Sequence, residues 1–592
     1  MNTQEKPKLI NKHFHFKFLK KIEGVVHSFS LTEKIFFWFF VIVSSITALL
    51  LLISLNKEFL IDVPARGGTL TEGIIGTPRF INPLIAMSSA DKDLTALIYS
   101  GLTKKTFDGN FVPDLADRYE ISENGLEYRF FLRDNVKFHD GKKVTTEDII
   151  FTILKATDPE IESSKRSEWE GVNIEKISDT EILFVLRQPH ARFIESTTLG
   201  ILPKHLWGDI LKGGFGISKF NTEPVGSGPY KLKSIKRDNV NIPQNYTLSA
   251  FKNYALGKPL IEKIVFHFAK NESELVDLLN AKKISSIGGI SPVVASTFVE
   301  TQNINKIYLP RVFGIFFNQN ESKALADGNV RRALEKSISR TEIVDEILFG
   351  FATVSSDTLP PHLDEQFYLL GTENKSSEID DRLETELISE AQKILESAGW
   401  KKNENGVYEI EKNNEKIILS IDISTNNVPE LAAVAQKIAG IWRSIGVDVS
   451  VKNFETSELN QSVIRPRNFE ALIFGIVINN YSDLYGFWHS SQRLDPGLNI
   501  ANYTNISSDR ILTELRDKNN KEDIQKLIKE FNANIAKDIP AIFLYSPDFI
   551  YITPAELMGI ETKKIKSSEE RFLNIHKWFI KTDKIWKIFN KI

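Results

Sequence analysis

The apolar positions of this chain change period several times, and each change predicts an element. Residues 35–55 read IFFWFFVIVSSITALLLLISL without a charge. As a helix rising ~1.5 Å per residue, that run matches the ~30 Å hydrocarbon core of a bilayer. Its all-round apolarity differs from the single stripe of a helix buried in a soluble core. Residues 56–66 turn polar and end in Pro-Ala-Arg just before Gly67-Gly68, the pattern of a linker. From Gly68 to Ile75 apolar and polar positions alternate as in a strand. Asn82-Pro83 then predicts a turn before a helix from Ser89, with Asp91 and Asp93 near its start. In KKTFDGNFVPDLADRYEIS the Asp108-Gly109 pair predicts a hairpin. In LEYRFFLRDNVKFHDGKKVTTEDIIFTI, Tyr128, Phe130 and Leu132 share one strand face, Asp140-Gly141 turns the chain, and Thr145 or Thr146 caps a helix.

The second half repeats this alternation. An apolar strand near Tyr308 to Asn318 leads into VRRALEKSISRTEIVDEILFG, where Val330, Ala333, Leu334 and Ile338 have helical spacing and Ser339 with Glu342 forms a capping box. Residues 356–377 read as a surface loop. A helix stopped by Gly399, the strand KIILSIDIST, the amphipathic helix ELAAVAQKIAGIWRSIG closed by Gly446, and the strand VDVSVKNF follow in order. Strand, helix and strand in succession predict an α/β fold with a largely parallel sheet.

Composition narrows the picture. A chain of 592 residues with 42% hydrophobic positions implies several domains or a large two-lobed body. A net charge of −3 carries no bias toward polyanions, so nucleic acid is not an expected partner. The absence of cysteine excludes disulfides, thiolate metal sites, a cysteine nucleophile and a lipid-modified N-terminal cysteine. Lys6, Lys8, Lys12, Lys17, Lys20, Lys21 and Lys34 precede or flank the apolar run against Glu5, Glu23 and Glu33, which predicts a cytoplasmic N-terminus. A cleaved signal would have a shorter apolar region and an A-x-A-like site, and NKEFLIDVPARGG shows none. The expected order is a basic tail over 1–34, a membrane signal-anchor over 35–55, a linker over 56–66, and the remainder on the extracytoplasmic side.

Candidate chemistry is sparse. There is no H-E-x-x-H, and Val225-Gly226-Ser227-Gly228-Pro229 lacks the G-x-S-x-G spacing of a nucleophile elbow, so Ser227 reads as a turn residue. His139 beside Asp140 reads as a turn histidine bonded to local backbone. The chain is therefore expected not to be an enzyme and to need no cofactor or metal. The rival from that class is a tethered cell-surface hydrolase working through paired carboxylates.

VKFHDGKKVTTEDIIFTI, VGSGPYKL, VRRALEKSISRTEIVDEILFG, AQKILESAGW and ANYTNISSDRILTELR, in this order, resemble blocks of the extracytoplasmic solute-binding proteins of ABC transporters that bind dipeptides, oligopeptides and nickel. The resemblance implies a two-lobed body of the periplasmic-binding-protein type. Its first lobe would comprise residues 67–310 with 544–592 and its second residues 311–543, the chain crossing near Arg311 and Phe543. It implies capture of a peptide or similar small solute by hinge closure and delivery to a permease. A tethered sensor of the same fold is the alternative output. In peptide-binding members an aspartate in an A-D-Y-x-D-P-like stretch pairs with the ligand's amine. Aligning Tyr481 puts Asn480 at that position, with Asp483 as a substitute three residues on. Tyr481 and Trp488 would supply flat walls, and His489 a polar contact. By family position alone, Ser88, Ser89, Thr198, Gly200 and Asn318 join the candidates. The ending KWFIKTDKIWKIFNKI is basic and amphipathic, with Trp578, Phe579, Trp586 and Phe589 among lysines. It either docks on the lobe or rests on the membrane.

Overall fold

A computed structural model describes residues 25–26, 28–190, 192–211, 213–363, 384–412, 414–518 and 520–587. The lysine-rich tail before residue 25, most of the expected loop over 356–377, and Phe589 lie outside the described residues. The chain divides into two compact units, one joining the N-terminal stretch through Ala65 with the C-terminal stretch from Thr582, the other Arg66–Lys581.

In the first unit the apolar run lies within helix α1 (Leu31–Phe59), capped by Ser30 and finished by Lys57 in its last turn. It is long and apolar enough to cross a membrane, and none of its side chains is buried. The expected linker is corrected here. Asn56 to Phe59 contain no helix breaker and continue α1, and the β-favouring Leu60, Ile61 and Val63 open strand β1 (Leu60–Ala65). Its partner is the C-terminal strand (Lys581–Trp586).

The second unit is built on one large sheet. Its strands are β2 (Thr69–Ile75), β3 (Tyr230–Arg237), β4 (Pro243–Ala250), β5 (Lys263–Ala269), β6 (Ser286–Gly288), β7 (Asn303–Tyr308), β8 (Arg311–Phe317), β9 (Ala352–Val354), β10 (Ser420–Asn426), β11 (Asp448–Phe454), β12 (Ala471–Val477) and β13 (Ala541–Thr553). The C-terminal strand of the first unit is β14. The spatial order is β11-β10-β12-β8-β13-β6-β2-β5-β4-β3, with β7 and β9 also on β13. The sheet is mixed. β2 is parallel to β5 and β6, and β10 to β11 and β12. Every ladder on β13 is antiparallel, as are β8 with β12 and the β3-β4-β5 meander. The expectation of a largely parallel sheet fails because β13, the longest strand, returns at the end of the chain against the direction of those it joins.

Packing follows β13. Its early residues Ile542, Leu544 and Tyr545 lie in a core with α3 (Pro429–Ile445), while Ala541 and Phe543 face a second cluster with Trp488 and Phe531. Its late residues Phe549 and Tyr551 belong to a core built from residues 70–307 and 557–578, and Ile550 and Ile552 to a small cluster around Leu275. Many local expectations hold. The Asp108-Gly109 hairpin joins two antiparallel strands, Tyr128, Phe130 and Leu132 are buried, Thr145 with Asp148 caps α2 (Thr146–Thr157), and Gly446 closes α3.

Candidate ligand-binding site

A largely apolar cavity of about 670 Å³ lies where the cores joined by β13 meet. Its floor is the start of β8 (Arg311, Phe313) and the middle of β13 (Tyr545, Asp548, Phe549). Gly289 and Pro292 beyond β6 form one wall, and Phe474 of β12, Glu430 and Leu431 of α3, and Phe487 form the other. Gly475 opposes Phe313 across the ladder, and a Cβ at 475 would sit 2.7 Å from that ring. Its absence lets Phe313 stack flat on Tyr545, centroids 5.2 Å apart and planes 18° off parallel.

Two ionisable groups in this apolar setting make no ion pair among the described residues. Arg311 is half-buried, and among the described residues no carboxylate pairs with it; burial holds its guanidinium below the usual arginine range. Asp548 presents a buried Oδ1 with no hydrogen-bond partner, and burial, eased by Lys306, pushes its carboxyl up to about 6. Buried charge is costly unless partnered, so both groups hold binding capacity that the described residues do not use.

None of the residues expected from the sequence lines this cavity. Ser88 caps the helix Ser89–Ile98, donating to Asp91 Oδ2 at 2.6 Å, and both serines are exposed. Thr198 and Gly200 line a separate cavity of about 410 Å³ with Tyr99, Lys104 and Asp114. Asn318 is buried at the end of β8 and donates to the Arg467 carbonyl at 2.7 Å. In the 480 loop the polar groups satisfy one another. Asn480 Nδ2 donates to Asp483 Oδ1 at 2.8 Å, and the Asn479 and Asn480 amides donate to Asp483 Oδ2. Tyr481 packs half-buried on the cluster that holds Trp488. Trp488 is fully buried, stacked on Phe316 and edge-on to Phe543, so it offers no wall to solvent. His489 stacks on Tyr485 at 4.2 Å and meets Ser491 Oγ at 2.8 Å.

His139 is a backbone-bonded turn residue. It lies 3.1 Å from the Gly228 carbonyl and accepts from the Gly226 amide, and burial lowers it to about 4. Gly226 is there because the Ile98 carbonyl passes 2.1 Å from where its Cβ would be.

The sequence marked Arg311 only as a lobe crossing and passed over Asp548. The missed signal was a lone charge in each apolar strand, RVFGIFF and AIFLYSPDFIYIT.

Architecture and site together define a solute-binding protein. A family model of bacterial extracellular solute-binding proteins, family 5, matches residues 110–495, and the chain belongs to that family. The oligopeptide-binding protein AppA of Bacillus subtilis is 28% identical over 529 residues, covering 87% of this chain and 92% of the relative. The structure of that protein with a nonapeptide superimposes with a TM-score of 0.63 at 27% identity, covering 88% of this chain and 100% of the other. NikZ from Campylobacter jejuni with Ni(L-His) gives 0.64 at 26% identity, over 86% and 99%. The fold is the two-lobed α/β fold of these binding proteins.

Proposed function

We propose that this chain is a membrane-tethered receptor that captures peptides in the cavity over β8 and β13 and passes them, chemically unchanged, to an ABC transporter permease. The observation that carries this reading is the apolar cavity holding an unpaired guanidinium and a carboxylate with a free oxygen. A peptide brings apolar side chains for the walls, a carboxylate for Arg311 and an ammonium for Asp548. The peptide-binding relatives support the ligand class. Residues 67–310 with 544–592 form one lobe and residues 311–543 the other. They hinge where β8 begins and where β13 passes from one core to the next, and closure is stabilised by the ligand's contacts with both. Residues 35–55 hold the protein in the membrane with the binding body outside.

Native mass spectrometry of the full chain in detergent, after exposure to a pool of apolar tripeptides, tests the reading. Retained peptides of unchanged mass are expected. Cleaved products, or no retention from the pool, would overturn it.

A further inference from the structure

Helix α1 and strand β14 belong to the same compact unit, and their contacts fix an indole at a defined height on the helix. The charge-free run ends at Leu55. Asn56, the next residue, accepts a hydrogen bond from Trp586 Nε1 at 2.8 Å. Phe59, one turn on, stacks against the same ring with centroids 6.2 Å apart and planes 26° from parallel. Trp586 still exposes 45% of its surface.

At ~1.5 Å per residue, Asn56 to Phe59 lie within about 6 Å of the end of the span, the depth of a bilayer's headgroup layer. Tryptophan concentrates there because its ring is apolar and its N–H is a donor. Around it, Lys57, Lys581, Lys584 and Lys587 are nearly balanced by Glu58, Asp62 and Asp583. The chemistry is thus aromatic partitioning and not attraction to anionic lipid.

We propose that the C-terminal strand is a membrane-interface element. Trp586, backed by Phe59, seats among the headgroups on the side where α1 emerges, and the paired strands β1 and β14 give the chain a second membrane attachment. This rests on reading residues 35–55 as a membrane anchor.

The chain has no cysteine, so single-cysteine spin labels report depth in the full chain reconstituted into phosphatidylcholine vesicles. Ser45→Cys labels the middle of the span, and Lys584→Cys labels the strand face shared with Trp586. The Ser45 label is expected near the bilayer centre and the Lys584 label at headgroup depth. Adding Trp586→Ala is expected to raise the Lys584 label's accessibility to a water-soluble nickel chelate to that of an exposed site. A Lys584 label in bulk water with the Ser45 label in the bilayer would overturn the interface and leave the anchor standing. A Ser45 label in water would overturn both. An unchanged depth after Trp586→Ala would remove Trp586 from the role.

Discussion

Arg571 and Arg311 are both drawn out of water, with opposite outcomes. Arg571 is sealed in the core of β2. It donates to Asp93 at 2.6 and 2.9 Å, to Glu72 at 3.0 Å and to the Ser568 carbonyl at 2.7 Å. Glu72 in turn accepts from the Tyr551 hydroxyl at 3.0 Å and from Ser286. Burial opposes its charge, but Asp93 and Glu72 outweigh that, and the guanidinium titrates above the ordinary arginine value. Arg311 has burial without the counter-charge and shifts the other way. Only the Arg571 Nε is left without a hydrogen-bond partner among the described residues, and the charge-balanced network ties the C-terminal segment to the first strands. The open arginine has spare binding capacity, which marks it as a candidate site residue.

Substitutions at the two arginines separate these outcomes. The largest effect is expected at Arg571→Met, which strands two buried carboxylates and should cost about 3–5 kcal/mol in denaturant unfolding. Arg311→Met should leave that midpoint unchanged or raise it, because it removes an unpaired desolvated charge. Trp488→Ala belongs with Arg571. Its ring fills the cluster around Phe316, Phe531 and Phe543, and a loss of about 3–5 kcal/mol is expected from the cavity left. Next in size, Arg311→Met should weaken peptide binding by about 1.5–3 kcal/mol in calorimetry, the contribution of a hydrogen bond to a charged group.

The smallest effect is a pH dependence. With burial raising the Asp548 carboxyl to about 6, the group is largely protonated at pH 5 and ionised at pH 7. A ligand ammonium prefers the ionised form, so affinity should rise with pH across that interval, by about tenfold at most. Asp548→Asn should flatten the profile. A profile that falls with pH would show that Asp548 does not face an amine.

The sequence made the local elements legible, because caps, turns and periodicity act within a few residues. The span, the Asp108-Gly109 hairpin, the Thr145 cap and the close of α3 were all readable. The sheet's direction was not, since β13 pairs with strands drawn from distant parts of the chain. The same limit hid the proposed site. Arg311 and Asp548 meet only after β7, β8 and β13 assemble, and each alone is one charge in an apolar strand. The family position of Asn480 pointed to a loop whose amide and carboxylate are spent on each other, through the bonds between Asn480, Asp483 and the intervening backbone. Extending the linker reading to 56–66 failed for a related reason, because β1 becomes a strand only once β14 arrives beside it.

The central claim is that Arg311 supplies the charge partner of a ligand carboxylate in the cavity over β8 and β13. Its most direct measurement is a double comparison by calorimetry, pairing a peptide retained from the tripeptide pool and its C-terminal amide with wild type and Arg311→Met. The account predicts that amidation weakens binding to wild type and makes little further difference to the variant. Equal losses on amidation in both proteins, or none in either, would contradict it.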